Sequence, residues 1–246
     1  MSIFITGGSE GLGLELAKVY LRQGFVVGVC SRKSLTNEFI EKEIGEGKGR
    51  FFQYRCDVRN RSDLESALRQ LNEIDPVMMV VANAGIDKRK PLQSGFSHYE
   101  DVISTNLMGV INTIDVAVNL LCPRRTGRIA VISSIASLYG LPRAAPYCAS
   151  KAAVNVLCES LRHELKVSGI DLTVIMPGGI LTKMTQPKKL SPFGALTAAR
   201  AAEKCARAIE QGRRRYAFPK PQYFLFQCMK LMPEWVLSRL FKKVYE

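Results

Sequence analysis

Tyr147 and Lys151 stand four residues apart in Tyr147-Cys-Ala-Ser-Lys151, a spacing that puts both on one face of a helix. A phenol with a pKa near ~10 is a poor proton carrier at neutral pH unless its phenolate is stabilised, and a neighbouring ammonium does that. The pair therefore reads as an acid–base device in which Lys151 lowers the Tyr147 pKa. A second constellation lies at the other end of the chain, Thr6-Gly7-Gly8-Ser9-Glu10-Gly11-Leu12-Gly13. Its glycines permit a tight turn and let the backbone approach a pyrophosphate, which would rest on a helix N-terminus. Cys148 adjoins Tyr147, but no histidine stands near it in sequence, so it reads as packing rather than as a nucleophile. His98 and His163 are too few and too far apart for a zinc site. His98 belongs to the first turn of a helix and His163 to a solvated face among Glu159, Arg162, Glu164 and Lys166.

These groups need a scaffold. Short β-branched runs at Ile3–Thr6, Phe25–Cys30, Arg50–Cys56, Val77–Ala82, Arg128–Ser133, Asp171–Met176 and Arg215–Phe218 read as strands. Between them Leu12–Gln23, Thr36–Ile44, Arg61–Glu73, His98–Leu121, Tyr147–Val167 and Thr197–Glu210 carry apolar residues at helical spacing. Ser97 with Glu100 has the form of a capping box, and Asn60 with Asp63 does similar work. Alternation of near-continuous apolar strands with helices means an α/β fold: one doubly wound, Rossmann-like parallel sheet of about seven strands. That domain is expected over residues 1–212, with a C-terminal extension at 213–246.

Composition narrows the classes further. Of 246 residues 47% are apolar, enough for a sizeable core and too many for disorder. Lys and Arg total 35 against 22 Asp and Glu, a formal net charge of +13 that favours anionic partners. Seven cysteines, with no Cys-x-x-Cys pair, sit mostly in apolar runs and read as core thiols of a reducing compartment. A strand begins at Ser2, so no signal peptide is expected, and the location reads as cytoplasmic. Near the C-terminus the longest uncharged stretch, Pro221 to Met229, is too short to span a bilayer. No helix-turn-helix, zinc or aromatic RNA-binding signature accompanies the positive charge, so nucleic acid is not an expected partner.

The glycine spacing G-x-x-x-G-x-G after Thr6 resembles the short-chain dehydrogenase/reductase family, in its single-domain branch. Further motifs follow in register. Asn83-Ala84-Gly85 comes after the fourth strand, Asp57 and Val58 after the third, Asn106 on a helix, and Ser134 at the end of the fifth strand. Tyr147 and Lys151 follow Ser134 at the family's thirteen-residue gap, and Pro177, Gly178 and Thr182 match its P-G-x-x-x-T loop. The resemblance covers residues 2 to about 185.

It implies a hydride-transfer site. In the reductive direction Tyr147 would protonate a carbonyl oxygen that Ser134 also hydrogen-bonds. Lys151 would hold the nicotinamide ribose, and Asn106 would place a water beside Lys151. The cofactor-binding set would be Thr6, Gly7, Ser9, Gly11, Leu12, Gly13, Ser31, Arg32, Asp57, Val58, Asn83, Ala84, Gly85, Tyr147, Lys151, Pro177, Gly178, Ile180 and Thr182, with the Asp57 side chain meeting the adenine. No metal is expected. Ser31 occupies the position where NAD enzymes carry a carboxylate, and Arg32 and Lys33 follow it, which suits the 2′-phosphate of NADPH. Glu10 departs from this pattern, because many NADP-preferring relatives have a basic residue there.

Beyond Arg215 the likeness to soluble carrier-protein reductases ends. Residues 213–246 hold eight Lys/Arg against two Asp/Glu. Pro233 suits the first position of a helix whose Val236, Leu237, Leu240, Phe241 and Val244 form one apolar stripe. The pattern is similar to the basic, apolar extensions of membrane-associated family members acting on lipidic ketones. Two roles stay open for it: peripheral binding to the cytoplasmic face of a membrane, with Trp235 and Tyr245 as anchors, or packing in a homodimer or homotetramer. The expected substrate is a hydrophobic carbonyl compound (or the corresponding secondary alcohol). A carrier-bound 3-oxoacyl group and a non-catalytic dinucleotide sensor are the alternatives, and the complete Ser134, Tyr147 and Lys151 set argues against the sensor.

Overall fold

A computed structural model describes residues 1–36, 38–39, 48–90, 95–182 and 195–245, without the side chains of residues 240 and 243–245. The chain runs β1 (Ser2–Thr6), α1 (Gly11–Arg22), β2 (Val26–Ser31), β3 (Phe51–Arg55), α2 (Arg61–Ile74), β4 (Val77–Ala82) and α3 (Ser97–Ile103). A π-helical turn (Ser104–Met108), α4 (Gly109–Leu121), β5 (Gly127–Ile132) and α5 (Ala145–Val167) follow. The last elements are β6 (Ile170–Pro177), β7 (Ile180–Leu181), β8 (Leu196–Thr197), α6 (Ala198–Glu210), β9 (Arg215–Phe218), α7 (Lys220–Met229) and α8 (Glu234–Tyr245).

Seven strands form one sheet in the order β3-β2-β1-β4-β5-β6-β9, every pair parallel. The expected doubly wound fold is present. Alternation along each strand divides the core in two. Phe4, Val80 and Val131 point into a layer shared with Leu64 of α2, Val110 of α4 and Val154 of α5. Ile3, Ile5 and Val81 point the other way, against Leu16 of α1 and Ala202 of α6. The winding reverses between β1 and β4, the place where an open α/β sheet leaves a crevice at its carboxyl edge.

The cap of α2 is as read: the Asn60 side chain accepts from the backbone N–H groups of Ser62 and Asp63. The capping box at Ser97 is not. Ser97 is already the first helical residue, Phe96 is the N-cap without a side-chain bond, and Phe96 O receives Tyr99 N. The helix expected over His98–Leu121 is interrupted by the π-helical turn centred on Asn106. The helix expected over Thr36–Ile44 falls mostly outside the described residues. Ser97–Arg124 as a whole is long and apolar enough to span a bilayer by length and composition, but half of its most apolar window is buried within the protein. All seven cysteines are free thiols, five of them buried.

β9 lies beyond Gly212, so the sheet takes its edge strand from the segment set apart as an extension. α7 packs Tyr223 and Phe226 on the core. Pro233 precedes α8 rather than opening it, its carbonyl accepting from Val236 N and Leu237 N. The apolar stripe of α8 turns partly inward: Leu237 is buried, and Phe241 stacks on Tyr139 with ring centroids 6.1 Å apart and planes at 21°. Among the described side chains of this region, Phe224, Leu231 and Trp235 are the large apolar ones that face solvent, 70%, 87% and 66% exposed.

Candidate active site

The glycine turn is built by close approach. Gly7 has φ +66°, and a Cβ there would stand 2.8 Å from Ala84 Cα. A Cβ on Gly13 would stand 2.4 Å from the Gly7 carbonyl oxygen and 2.5 Å from Asn83 Nδ2, so no side chain fits without moving backbone. Asn83 Nδ2 donates to the Thr6 and Gly7 carbonyls at 2.9 and 3.1 Å. Thr6 Oγ1 accepts from Asn83 N and Ala84 N, both at 3.1 Å. Thr6 and Asn83 thus spend these polar atoms stapling the turn to the end of β4. Leu12 is buried in the core, so only its backbone is available to a ligand. Ser9 is half-buried on the turn, and Glu10 is the N-cap of α1. Gly11 lies beneath Thr182, whose Cγ2 is 3.3 Å from the position a Cβ would take. The loop after β6, with buried Ile180, therefore reaches back over the glycine turn. The result is a cradle with bare backbone at a helix N-terminus, which fits a dinucleotide pyrophosphate.

At the ends of β2 and β3, Arg32 and Lys33 are exposed, while Ser31 Oγ donates to the Lys33 carbonyl. Asp57 is held by a residue the sequence reading overlooked. Arg59 Nε donates to both carboxylate oxygens at 3.1 Å and Nη2 to Oδ2 at 2.7 Å. That fork holds the Asp57 carboxyl below its ordinary pKa, with the Arg32 charge adding a smaller effect. The carboxylate expected to meet an adenine is thus already engaged. Val58 is buried against Gly109, and its carbonyl accepts from Asn112 Nδ2 at 3.0 Å.

β5 ends at Ile132, and Ser134 follows as the N-cap of a short turn, its Oγ accepting from Ala136 N at 3.1 Å. α5 brings Tyr147 and Lys151 beside it. Lys151 is 3% exposed; its Nζ donates to the Ile132 carbonyl at 2.8 Å and lies 5.9 Å from the Tyr147 ring centroid. Burial pushes the Tyr147 phenol up to about 12, and a hydrogen bond with Ser134 opposes that rise. Burial also pulls Lys151 down to about 8. The expected lowering of Tyr147 by Lys151 is therefore not what this geometry produces. The ammonium is directed at a backbone carbonyl, and desolvation of the phenolate outweighs it.

Asn106 has no exposed surface. Its Oδ1 accepts from Ile86 N at 2.7 Å, and its Nδ2 donates to Ile86 O at 2.9 Å and to Ser150 Oγ at 3.2 Å. This double clamp holds Gly85 so close that a Cβ on it would be 3.5 Å from Lys151 Nζ. Cys148 Sγ accepts from Leu141 N at 3.4 Å, and burial raises its thiol pKa, as a packing residue requires.

Two more residues escaped the sequence reading. Gln222 on α7 is 2% exposed, and its Oε1 accepts from Gly179 N at 3.2 Å. Gly178, whose added Cβ would lie 2.1 Å from that oxygen, must be glycine for Gln222 to reach in. Pro177, Gly178 and Gly179 are thus held by the C-terminal segment. Asp87, next to the clamped Ile86, acts electrostatically on Tyr147. Neither belongs to a motif; a lone polar residue in an apolar run is the only signal Gln222 offered. The expected residues lie at the carboxyl edge of the sheet or on the loops leaving it, except Gly11, Leu12 and Gly13 on α1, Asn106 on the π-helical turn and Tyr147 and Lys151 on α5, and among the described residues no cluster could hold a metal ion.

The family model described as short chain dehydrogenase matches residues 1–191. The chain is 31% identical over 187 residues to the 3-oxoacyl-[acyl-carrier-protein] reductase MabA of Mycobacterium avium, covering 75% of this chain and 69% of that one. Among solved structures, a 3-ketoacyl-ACP reductase from Sinorhizobium meliloti superposes with a TM-score of 0.79 at 25% identity, over 92% of this chain and all of the other. A short chain dehydrogenase from Burkholderia cenocepacia, in complex with NADP, superposes with a TM-score of 0.81 at 21% identity, over 97% and 96% of the two chains. With the motifs in place at the edge of a seven-stranded parallel sheet and the family model matched over most of its length, the chain belongs to the short-chain dehydrogenase/reductase family of oxidoreductases.

Proposed function

We propose that the protein is an NADPH-dependent reductase of ketones on hydrophobic, lipid-like substrates, working reversibly on the corresponding secondary alcohols. The observation that carries this reading is the meeting of Ser134, Tyr147 and Lys151 beside the glycine cradle. The reduced nicotinamide would supply hydride to the carbonyl carbon. Tyr147 Oη gives its proton to the carbonyl oxygen; burial alone makes the phenol a weaker acid, and the Ser134 hydrogen bond works against that rise by favouring the phenolate left behind. Ser134 Oγ hydrogen-bonds the same oxygen and offsets the charge that grows there. Lys151 holds the nicotinamide ribose, and Asn106, by clamping Ile86 through both its N–H and its C=O, fixes the loop beside Lys151 where a water would return a proton.

Arg32 and Lys33, exposed where a carboxylate would repel a 2′-phosphate, support the preference for NADPH. The solvent-facing Phe224, Leu231 and Trp235, among the basic residues of the tail, support peripheral contact with the cytoplasmic face of an anionic membrane in a cytoplasmic, homo-oligomeric enzyme. A second reading, reduction of a carrier-bound 3-oxoacyl group, draws on the likeness to MabA and on the net charge of +13, which would greet an acidic carrier. A panel of free long-chain ketones and carrier-bound 3-oxoacyl groups, followed by NADPH oxidation, separates the two. On the better substrate Tyr147→Phe should lower kcat by about 10²–10⁴-fold while NADPH affinity holds. Arg32→Asp should shift preference toward NADH. Full turnover in Tyr147→Phe sinks the catalytic assignment, and an unmoved cofactor preference in Arg32→Asp sinks the NADPH one.

A further inference from the structure

Helix α5 meets the turn of Ser134 at a third point, beyond Tyr147 and Lys151. Asn155 follows them by one more four-residue step, so the three side chains share a face of the helix. Asn155 is 9% exposed, and the flanking Val154 and Cys158 of the helix and Ile135 of the turn belong to the apolar core. Its Nδ2 donates to Ser137 Oγ at 2.7 Å, while its Oδ1 is buried with no hydrogen-bond partner among the described residues. A buried carbonyl oxygen without a donor is costly, and a leucine of similar size would avoid that cost. What the position gains in return is one N–H on Ser137.

That N–H acts on the site through two further bonds. A hydroxyl has a single proton, and Ser137 gives it to the Ser134 carbonyl at 2.5 Å, so toward Asn155 its oxygen can only accept. The same carbonyl accepts from Ser137 N at 3.1 Å, and residue 137 thereby closes the turn twice. Within the closed turn Ala136 N donates to Ser134 Oγ at 3.1 Å, the contact that sets where the hydroxyl sits. Toward Pro177 O the hydroxyl makes only a long bond, 3.4 Å, so its proton can turn elsewhere. Ser134 Oγ is firmly placed while its proton is loosely held. A group that must meet growing negative charge without reorganising needs that combination.

We propose that Asn155 is a positioning residue for the reduction: acting through Ser137, it holds the Ser134 hydroxyl where the carbonyl oxygen of the substrate will stand. This deepens the reductase reading and rests on it. Asn155 lies two turns along α5 from Tyr147 and works only through the turn it braces. Its loss therefore slows the chemical step, for which small displacements are costly, and leaves substrate and cofactor binding nearly as they were.

The test is a double-mutant cycle, read on NADPH-dependent reduction of whichever ketone of the panel above wild type turns over fastest. Asn155→Leu should lower kcat by about tenfold or more, with KM and NADPH affinity within about twofold of wild type. Ser134→Ala is slow by itself, and adding Asn155→Leu to it should change kcat by less than about twofold, because the group being positioned is gone. Combining Asn155→Leu with Ser137→Ala leaves no unpaired group, so a thermal melt should recover while kcat stays low. Without cofactor or substrate, amide hydrogen exchange followed by NMR should be faster at Ala136 and Ser137 in Asn155→Leu than in wild type. If Asn155→Leu does not fold, Ser137→Ala takes its place in the cycle and in the exchange measurement. An unaltered kcat, an equal further loss in the Ser134→Ala background, a kcat that recovers with stability in the combined variant, or unchanged exchange at both amides overturns the positioning role and leaves the reductase reading standing. Full turnover in Ser134→Ala, or no reduction of any ketone by wild type, overturns the reductase reading itself and the role of Asn155 with it.

Discussion

The two flanks of the sheet specify their share of the site by different means. On the β1–β4 flank the important surface is backbone. Gly7 and Gly13 are bare because Ala84, Asn83 and another carbonyl occupy the space a Cβ would need, and Thr6 and Asn83 are turned on each other to keep it so. On the β5–β9 flank the surface is made of side chains: Ser134, Tyr147, Lys151, Gln222, and the Tyr139–Phe241 stack beyond them. A backbone cradle tolerates almost no substitution and serves any dinucleotide. A wall of side chains can be exchanged residue by residue, and so can be fitted to one substrate.

The largest effect should come from the side-chain flank. Lys151 carries a folded-state pKa of about 8 against an ordinary 10.5. Below pH 8 both folded and unfolded chains hold the proton, and the folded state bears the whole cost of burying the ammonium. Between about 8 and 10.5 the folded chain has released a proton that the unfolded chain keeps, so stability rises with pH through that window. Lys151→Met lacks this dependence. The stability of wild type relative to Lys151→Met should therefore grow by about 3 kcal/mol between pH 7 and pH 11, read from denaturant unfolding at a series of pH values. Parallel pH profiles for the two proteins would show that Lys151 is not desolvated.

On the backbone flank, Gly13→Ala forces a methyl into the Gly7 carbonyl and the Asn83 amide. A loss of about 2 kcal/mol in unfolding free energy is expected from the overpacking, together with a collapse of NADPH affinity. A normal NADPH titration curve for this variant would mean that the turn opens freely, and the contrast between the two flanks would fail.

The same contrast explains what could be read in advance. β1, β2, β4, β5 and β6 were legible because buried parallel strands are nearly continuous apolar runs, and α1, α2, α5 and α6 because their apolar residues recur at helical spacing. The site was legible wherever a backbone constraint demanded one residue type, as at Gly7 and Gly13, or where helical spacing paired two groups, as at Tyr147 and Lys151. Gln222 was not, because its partner Gly179 is brought to it by the tertiary fold; Arg59 and Asp87 pair with Asp57 and Arg89 two residues away, but only the fold shows that these local pairs stand at the site. Ser97 misled for a related reason. A Ser three residues before a Glu satisfies the capping pattern, yet Phe96, packed edge-on against Tyr99, is the residue at which the helix begins. The direction of the Tyr147 shift was misread because sequence proximity to Lys151 says nothing of where the ammonium points or how dry the phenol is.

Gln222 offers a way to sharpen the comparison, because it joins the C-terminal segment to the loop after β6. Gln222→Met fills similar space but removes the acceptor of Gly179 N–H. A loss of about 1.5 kcal/mol is expected, with a higher KM for NADPH and a smaller change in kcat. Gln222→Glu, which keeps an oxygen at the same reach, should recover the KM. An unchanged KM in Gln222→Met would confine Gln222 to packing.

The smallest effect separates two uses of the tail. Phe241 lies stacked on Tyr139, two residues past the short turn that Ser134 caps, and Leu237 on the same helix is 6% exposed. Trp235, one turn earlier than Arg239, is 66% exposed and contributes little to the fold. Phe241→Ala should therefore cost about 1 kcal/mol of stability through loss of the aromatic pair, and change kcat/KM on a long-chain ketone because Tyr139 loses its support. Trp235→Ala should leave the unfolding curve in place and instead weaken flotation with anionic vesicles, an interaction that also fades with salt. If Trp235→Ala destabilised the protein while flotation held, the exposed residues of α8 would be serving a subunit contact, and the oligomer would dissociate in the same variant.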